Sequence, residues 1–159
     1  MRRPLIYIIH NYDDLPENVI FIHDEDESWH HNGKITDNIY MWIDEYEKGG
    51  RKYHNFNSGA FHDHANIYKE NPAFRDYWDA VFKSTLGDYE TAKFGNPNCC
   101  AQFIVSRDKI VEKPKEYYQA MYDWLVKNTN GESNGDKYDM YSGRMTGMYA
   151  EYTWKYLFY

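Results

Sequence analysis

The sequence predicts one α/β domain in the order helix, strand, helix, helix, strand, helix, helix. Three observations predict it. Apolar residues recur at helical spacing through much of the chain. The β-rich runs Val19-Ile20-Phe21-Ile22-His23 and Cys99 to Val105 are short and bounded by turn residues. The length of 159 residues suits one core and is too short for two.

Leu5, Ile8, Ile9 and Tyr12 share a helical face, so residues 4–12 read as a helix that Pro16 stops. The run from Val19 to His23 reads as a fully buried strand, of the sort found inside a parallel sheet. It leads straight into the acidic stretch Asp24-Glu25-Asp26-Glu27. Ile35, Ile39, Trp42, Ile43 and Tyr46 mark an amphipathic helix closed by Gly49-Gly50. Residues 51–72 read as loop and contain His54, His62 and His64. Phe74, Trp78, Val81 and Phe82 follow Pro72 as a further helix. Residues 86–98 carry Gly87, Gly95 and Pro97 and read as loop, before the second buried strand. Pro114 opens a helix with Tyr117, Met121, Trp124 and Leu125 on one face. A loop over 128–143 precedes the last helix, Met145 to Phe158.

Composition excludes several functions. The chain holds 18 basic and 25 acidic residues, a net charge of −7, which repels a nucleic-acid backbone. No stretch is apolar and long enough to span a bilayer. The two cysteines, Cys99 and Cys100, are adjacent; neighbours seldom pair because the ring is strained, so a reducing, cytoplasmic setting is expected. Aromatic residues reach 19%, with 17 Tyr and 5 Trp. Most should fill the core, while rings with a polar handle also suit sugar-stacking pockets.

The chemistry concentrates after the first strand. Ligands of open α/β sheets sit beyond the carboxyl ends of strands. In extended chain, residues two apart point the same way, so Asp24 and Asp26 project together. Two such carboxylates repel unless a cation lies between them. Hard oxygen ligands favour Mg²⁺ or Mn²⁺, which also take up phosphate oxygens. A solvated acidic turn is the plainer reading. His62-x-His64 has chelate spacing if extended, against an ordinary surface role. Trp29 and His30 are placed to meet a sugar or a phosphate.

The segments Tyr7 to Pro16, Val19 to His23 and Ser28-Trp29-His30 resemble the start of the DUF3431 family. Cys99-Cys100-Ala101-Gln102-Phe103-Ile104-Val105-Ser106-Arg107 is similar to that family's most specific block, and Glu151-Tyr152-Thr153-Trp154 to its closing motif. The family is grouped with GT-A-fold glycosyltransferases, and the sequence is also similar to the small glycosyltransferase domain of large algal viruses. The resemblance implies a GT-A-like mixed sheet flanked by helices. It implies a single domain over 1–159 that lacks the N-terminal nucleotide-binding strand, either as the C-terminal three quarters of a longer GT-A domain or as a chain that has lost half of its nucleotide site. It implies a nucleotide-diphospho-sugar donor, with a UDP-sugar expected, Mn²⁺ or Mg²⁺, and a glycan or glycoprotein acceptor. A viral origin would place the protein in host cytoplasm. Carried over by position, Asp24 and Asp26 are the metal pair.

An attacking hydroxyl needs a base, and Glu151 on an apolar helical stripe is the first candidate, with Asp76 second. Each has a structural alternative, a hydrogen-bonded carboxyl or a surface partner of a basic residue. Arg75, Arg107 and Arg144 are phosphate candidates, with Arg107 the preferred donor-binding residue and solvation the bland alternative. Gln102 lies on a buried strand and needs partners. A metal-dependent hydrolase built on the Asp/His cluster and a non-catalytic carbohydrate-binding remnant are the competing readings.

Overall fold

The computed structural model describes residues 3–27, 31, 33–57, 71–89, 100–130 and 139–158. Among these residues it is a mixed α/β fold around a three-stranded antiparallel sheet. Helix α1 (Arg3–Asn11) runs through a 3₁₀ turn (Tyr12–Asp14) into β1 (Asn18–Phe21). Next come α2 (Ile35–Lys48), β2 (Tyr53–Asn55), α3 (Pro72–Val81) and α4 (Lys83–Leu86). Strand β3 (Phe103–Ser106) leads into α5 (Arg107–Ile110), α6 (Lys115–Lys127) and α7 (Gly143–Phe158).

Local chemistry accounts for the helix boundaries. Asn71 caps α3, its side-chain oxygen accepting from the Phe74 amide at 3.1 Å, and Pro72 fills the first turn, where its missing N–H costs nothing. After α2 the chain turns through Gly50 at a φ of 56°, a left-handed conformation that glycine adopts without strain.

The sheet order is β1-β3-β2, so β3 is central. Val19 pairs with Val105 and Phe21 with Phe103, while Tyr53 pairs with Val105 and Asn55 with Phe103. Alternation then gives the sheet two faces. Val19, Phe21, Tyr53, Phe103 and Val105 face the larger core with α1, α3, α6 and α7. Ile104 points the other way, into a smaller cluster with Ile35, Trp42, Tyr46 and Phe56, which α2 closes. The predicted aromatic filling is evident here. Trp154 and Phe158 of α7 each lie 5.6 Å from Phe103, and Trp42 stacks on Phe56 at 5.0 Å.

Three expectations are corrected. The first strand is not inside a parallel sheet. Among the described strands it is an antiparallel edge strand, and Ile20 and Ile22 stay partly exposed because only one of its faces meets the larger core. Strand β2 lies in the segment read as loop, since Tyr53-His54-Asn55 is too short to show alternation. Cys100 is disulfide-bonded, against the expectation of unpaired cysteines. Cys100 holds a φ of 82°, a region that non-glycine residues seldom occupy. Among the described residues, no helix is long and apolar enough to cross a membrane.

Candidate functional site

The topology gathers three chain segments at one end of the sheet. β1 ends there, β2 runs the same way and also ends there, and β3 begins there. His23-Asp24, Phe56-Asn57 and Cys100-Ala101-Gln102 therefore share one rim. A cleft of about 320 Å³ opens on it, lined by Arg3, Pro4, Phe21, Ile22, His23, Asp24 and Ala101. Burial lowers the His23 pKa against the opposing pull of Asp24, so its imidazole is neutral at physiological pH.

Asp24 and Asp26 do not project as a pair from extended chain, because the backbone bends through 24–26. Asp24 is exposed on the cleft wall. Asp26 turns to the N-terminus of α2 instead. One of its carboxylate oxygens accepts from the Thr36 amide at 2.8 Å and the other from the Thr36 hydroxyl at 2.9 Å. Its main-chain oxygen accepts from the Ile35 amide at 2.8 Å. The bond from the Thr36 backbone is the main cause that holds its carboxyl below the usual range. A carboxylate at the start of a helix satisfies orphan N–H groups and complements the dipole. Each of its oxygens keeps a further lone pair, so a cation remains compatible with the cap. Among the described residues, no group of three or more His, Cys, Asp or Glu side chains is arranged to hold a metal. A cation here would complete its shell with water or ligand oxygens, the habit of Mg²⁺ and Mn²⁺.

Glu151 lies on α7, only 7% exposed. No hydrogen bond or ion pair to another described residue holds its carboxyl, and burial pushes it up to about 7. One turn on, Trp154 packs against Phe103, which packs at 5.1 Å against Phe21 of the cleft wall. Lys155, one residue further, is also buried, and burial brings its amine down to about 8. An acid and an amine that both titrate near neutrality thus share one turn of α7.

Residues 4–159 match the model of a family described as a protein of unknown function, DUF3431. The chain belongs to the DUF3431 family. No curated protein and no solved structure matches it.

Not every predicted site residue of this DUF3431 chain reaches the rim. Arg107 opens α5 at the opposite end of the sheet, where its amide donates to the Glu17 carbonyl at 2.8 Å and it lines a separate polar groove. The four residues of β1 put at least ~10 Å between the two ends. Asp76 is exposed on α3 and accepts from the Tyr141 hydroxyl at 2.9 Å, a surface partnership. Trp29 and His30, like His62, His64 and Cys99, lie outside the described residues. Trp42 and Trp78 are core residues. Sequence reasoning singled out Gln102 but passed over Lys155, although a lysine in the aromatic run Tyr152 to Phe158 was itself a signal.

Proposed function

We propose that this DUF3431 chain is a glycosyltransferase that moves a sugar from a nucleotide-diphospho-sugar, a UDP-sugar first, to a hydroxyl of a glycan. The observation that carries the reading is Glu151, a residue only 7% exposed whose carboxyl has no hydrogen-bond or ion-pair partner among the described residues. A structural carboxylate is normally paired. One raised toward neutrality, on a helix whose Trp154 reaches the Phe21 cleft wall through Phe103, matches what a general base needs. It takes the proton of the acceptor hydroxyl as that oxygen bonds to the anomeric carbon. The bond to the diphosphate oxygen breaks in the same displacement, and the nucleoside diphosphate leaves with the electron pair. Asp24 on the cleft wall would hold Mn²⁺ or Mg²⁺, with water and diphosphate oxygens completing its shell, and the ion would supply positive charge against the leaving diphosphate. The GT-A assignment rests on the motif resemblance, which also supports the choice of donor.

The test is Mn²⁺ titration with and without UDP, beside turnover of UDP-sugars with glycan acceptors. UDP should tighten Mn²⁺ binding, and Asp24→Ala should abolish that gain. Glu151→Gln should keep binding and lose turnover by about 100-fold or more. Equal Mn²⁺ affinity without the nucleotide would favour a hydrolase, and an unimpaired Glu151→Gln variant would remove the base.

A further inference from the structure

A second cavity, of about 560 Å³, lies at the other end of the sheet from the cleft, lined by Arg51, Lys52, Tyr53, Lys109 and Phe158. Three of these side chains are cations and none is an acid, in a chain whose net charge is −7. Arg51 and Lys52 lead into β2, Lys109 belongs to α5 and Phe158 ends α7. Backbone contacts fix their places. The Ser106 amide at the end of β3 donates to the Lys52 carbonyl at 2.9 Å, and the Ser106 hydroxyl accepts from the Lys109 amide at 3.3 Å. Tyr53 and Phe158, both buried and with ring centroids 5.6 Å apart, close the floor.

Internal partners leave much of this positive charge uncancelled. Arg51 is exposed and forms no ion pair with a described residue; its guanidinium meets Nδ1 of His54 at 3.4 Å. Burial, and then Arg51 itself, lowers the His54 pKa, so that ring is neutral at physiological pH. Lys52 stands 3.8 Å from Asp108 with both side chains exposed, a pairing that contributes little in water. Of the three cations only Lys109 is held tightly, by Glu112 at 2.7 Å. The bond from Lys109 holds the Glu112 carboxyl below its usual range, and the charges of Lys52 and Lys113 add to the pull, as a positive potential would. The adjoining polar groove shares Arg51 and Lys52 and adds Arg107, but Glu17, Glu47 and Asp108 balance the charge there.

We propose that the cavity between β2, α5 and the end of α7 binds a small phosphate-bearing anion, at a site separate from the cleft beside Asp24. Lysine and arginine only donate, so the ligand must accept at several atoms and carry negative charge. A phosphate presents three strong acceptor oxygens, which suits cations approaching from two elements, and two of those oxygens match the Arg51 fork. A carboxylate offers two oxygens in one plane. The apolar floor keeps water from screening the cations on one side and focuses their field toward the opening. A long polyanion would meet the acidic remainder of the surface, so the class is a small anion.

The test is calorimetry on the full chain with inorganic pyrophosphate, inorganic phosphate and acetate, in EDTA and at physiological ionic strength. EDTA removes metal-dependent binding at Asp24. Pyrophosphate should bind more tightly than phosphate, and acetate should not compete. Arg51→Gln should weaken pyrophosphate about tenfold, Lys52→Gln should weaken it as well, and Arg51→Lys should recover part of the loss. Both positions are exposed, so the variants should melt with wild type. Arg3→Gln, which removes the cation of the other cleft, should change nothing. If Arg3→Gln weakens pyrophosphate while Arg51→Gln does not, the anion sits in the cleft and the proposal is overturned. Absent binding, binding that no variant moves, or acetate equal to phosphate ends it too. UDP with Mn²⁺ separates the two readings. Should that pair fail to bind while pyrophosphate in EDTA remains sensitive to Arg51, the transferase reading falls and this site stands; the reverse pattern removes this site alone.

Discussion

Glu151 couples its chemistry to the stability of the protein. The folded state keeps its proton up to about 7, whereas the unfolded chain releases it near ~4.3. Its contribution is therefore fully present below the unfolded value and is lost as pH rises through about 7. The difference corresponds to roughly 3 kcal/mol. Lys155, brought down to about 8, acts with the opposite sign at higher pH: its contribution holds in alkali and is lost as pH falls toward that value. The two windows do not overlap, so a Glu151→Gln comparison isolates the carboxyl. Urea denaturation at pH 5 and pH 8 should find the variant gaining roughly 3 kcal/mol on wild type across that range. Parallel curves for the two proteins would mean that the carboxyl is solvated or paired.

At the scale of elements, the acidic stretch after β1 divides between structure and ligand. Asp26 fastens the N-terminus of α2 to the strand end through Thr36, while Asp24 makes no such attachment to a described residue. Asp26→Ala should lower the melting temperature at neutral pH, and Asp24→Ala should leave it unchanged, as read by circular dichroism. The Asp26 carboxyl is held below its usual range, so its contribution is present above the unfolded value and is lost as pH falls through the folded one. Equal stability of the two variants would sink the capping account. This division also marks what was legible in the sequence. Helices α1, α2, α3, α6 and α7 were, because apolar residues at helical spacing and punctuation such as Pro72, Gly49 and Pro114 are local signals. Strand direction was not, because Val-Ile-Phe-Ile reads alike in an edge strand and an inner one. The cap on Thr36 was not either. It joins residues 10 apart across a bend, and periodicity carries no record of such a bond.

At the scale of the whole molecule, the central strand ties two cores together. Phe103 and Val105 enter the α7 side and Ile104, between them, enters the α2 side, so neither core loses its packing without straining β3. The smaller cluster depends on Trp42, which stacks on Phe56 and meets the His31 ring edge-on. Trp42→Ala should cost about 3–5 kcal/mol, the usual range for a large buried aromatic. Because the strand is shared, that loss should appear in one transition. Helix content by circular dichroism and tryptophan fluorescence should report the same midpoint in guanidinium for both wild type and variant. If the variant instead shows an early step confined to part of the signal, α2 and its cluster form an independently melting unit, and the rim is held by two elements of unequal stability.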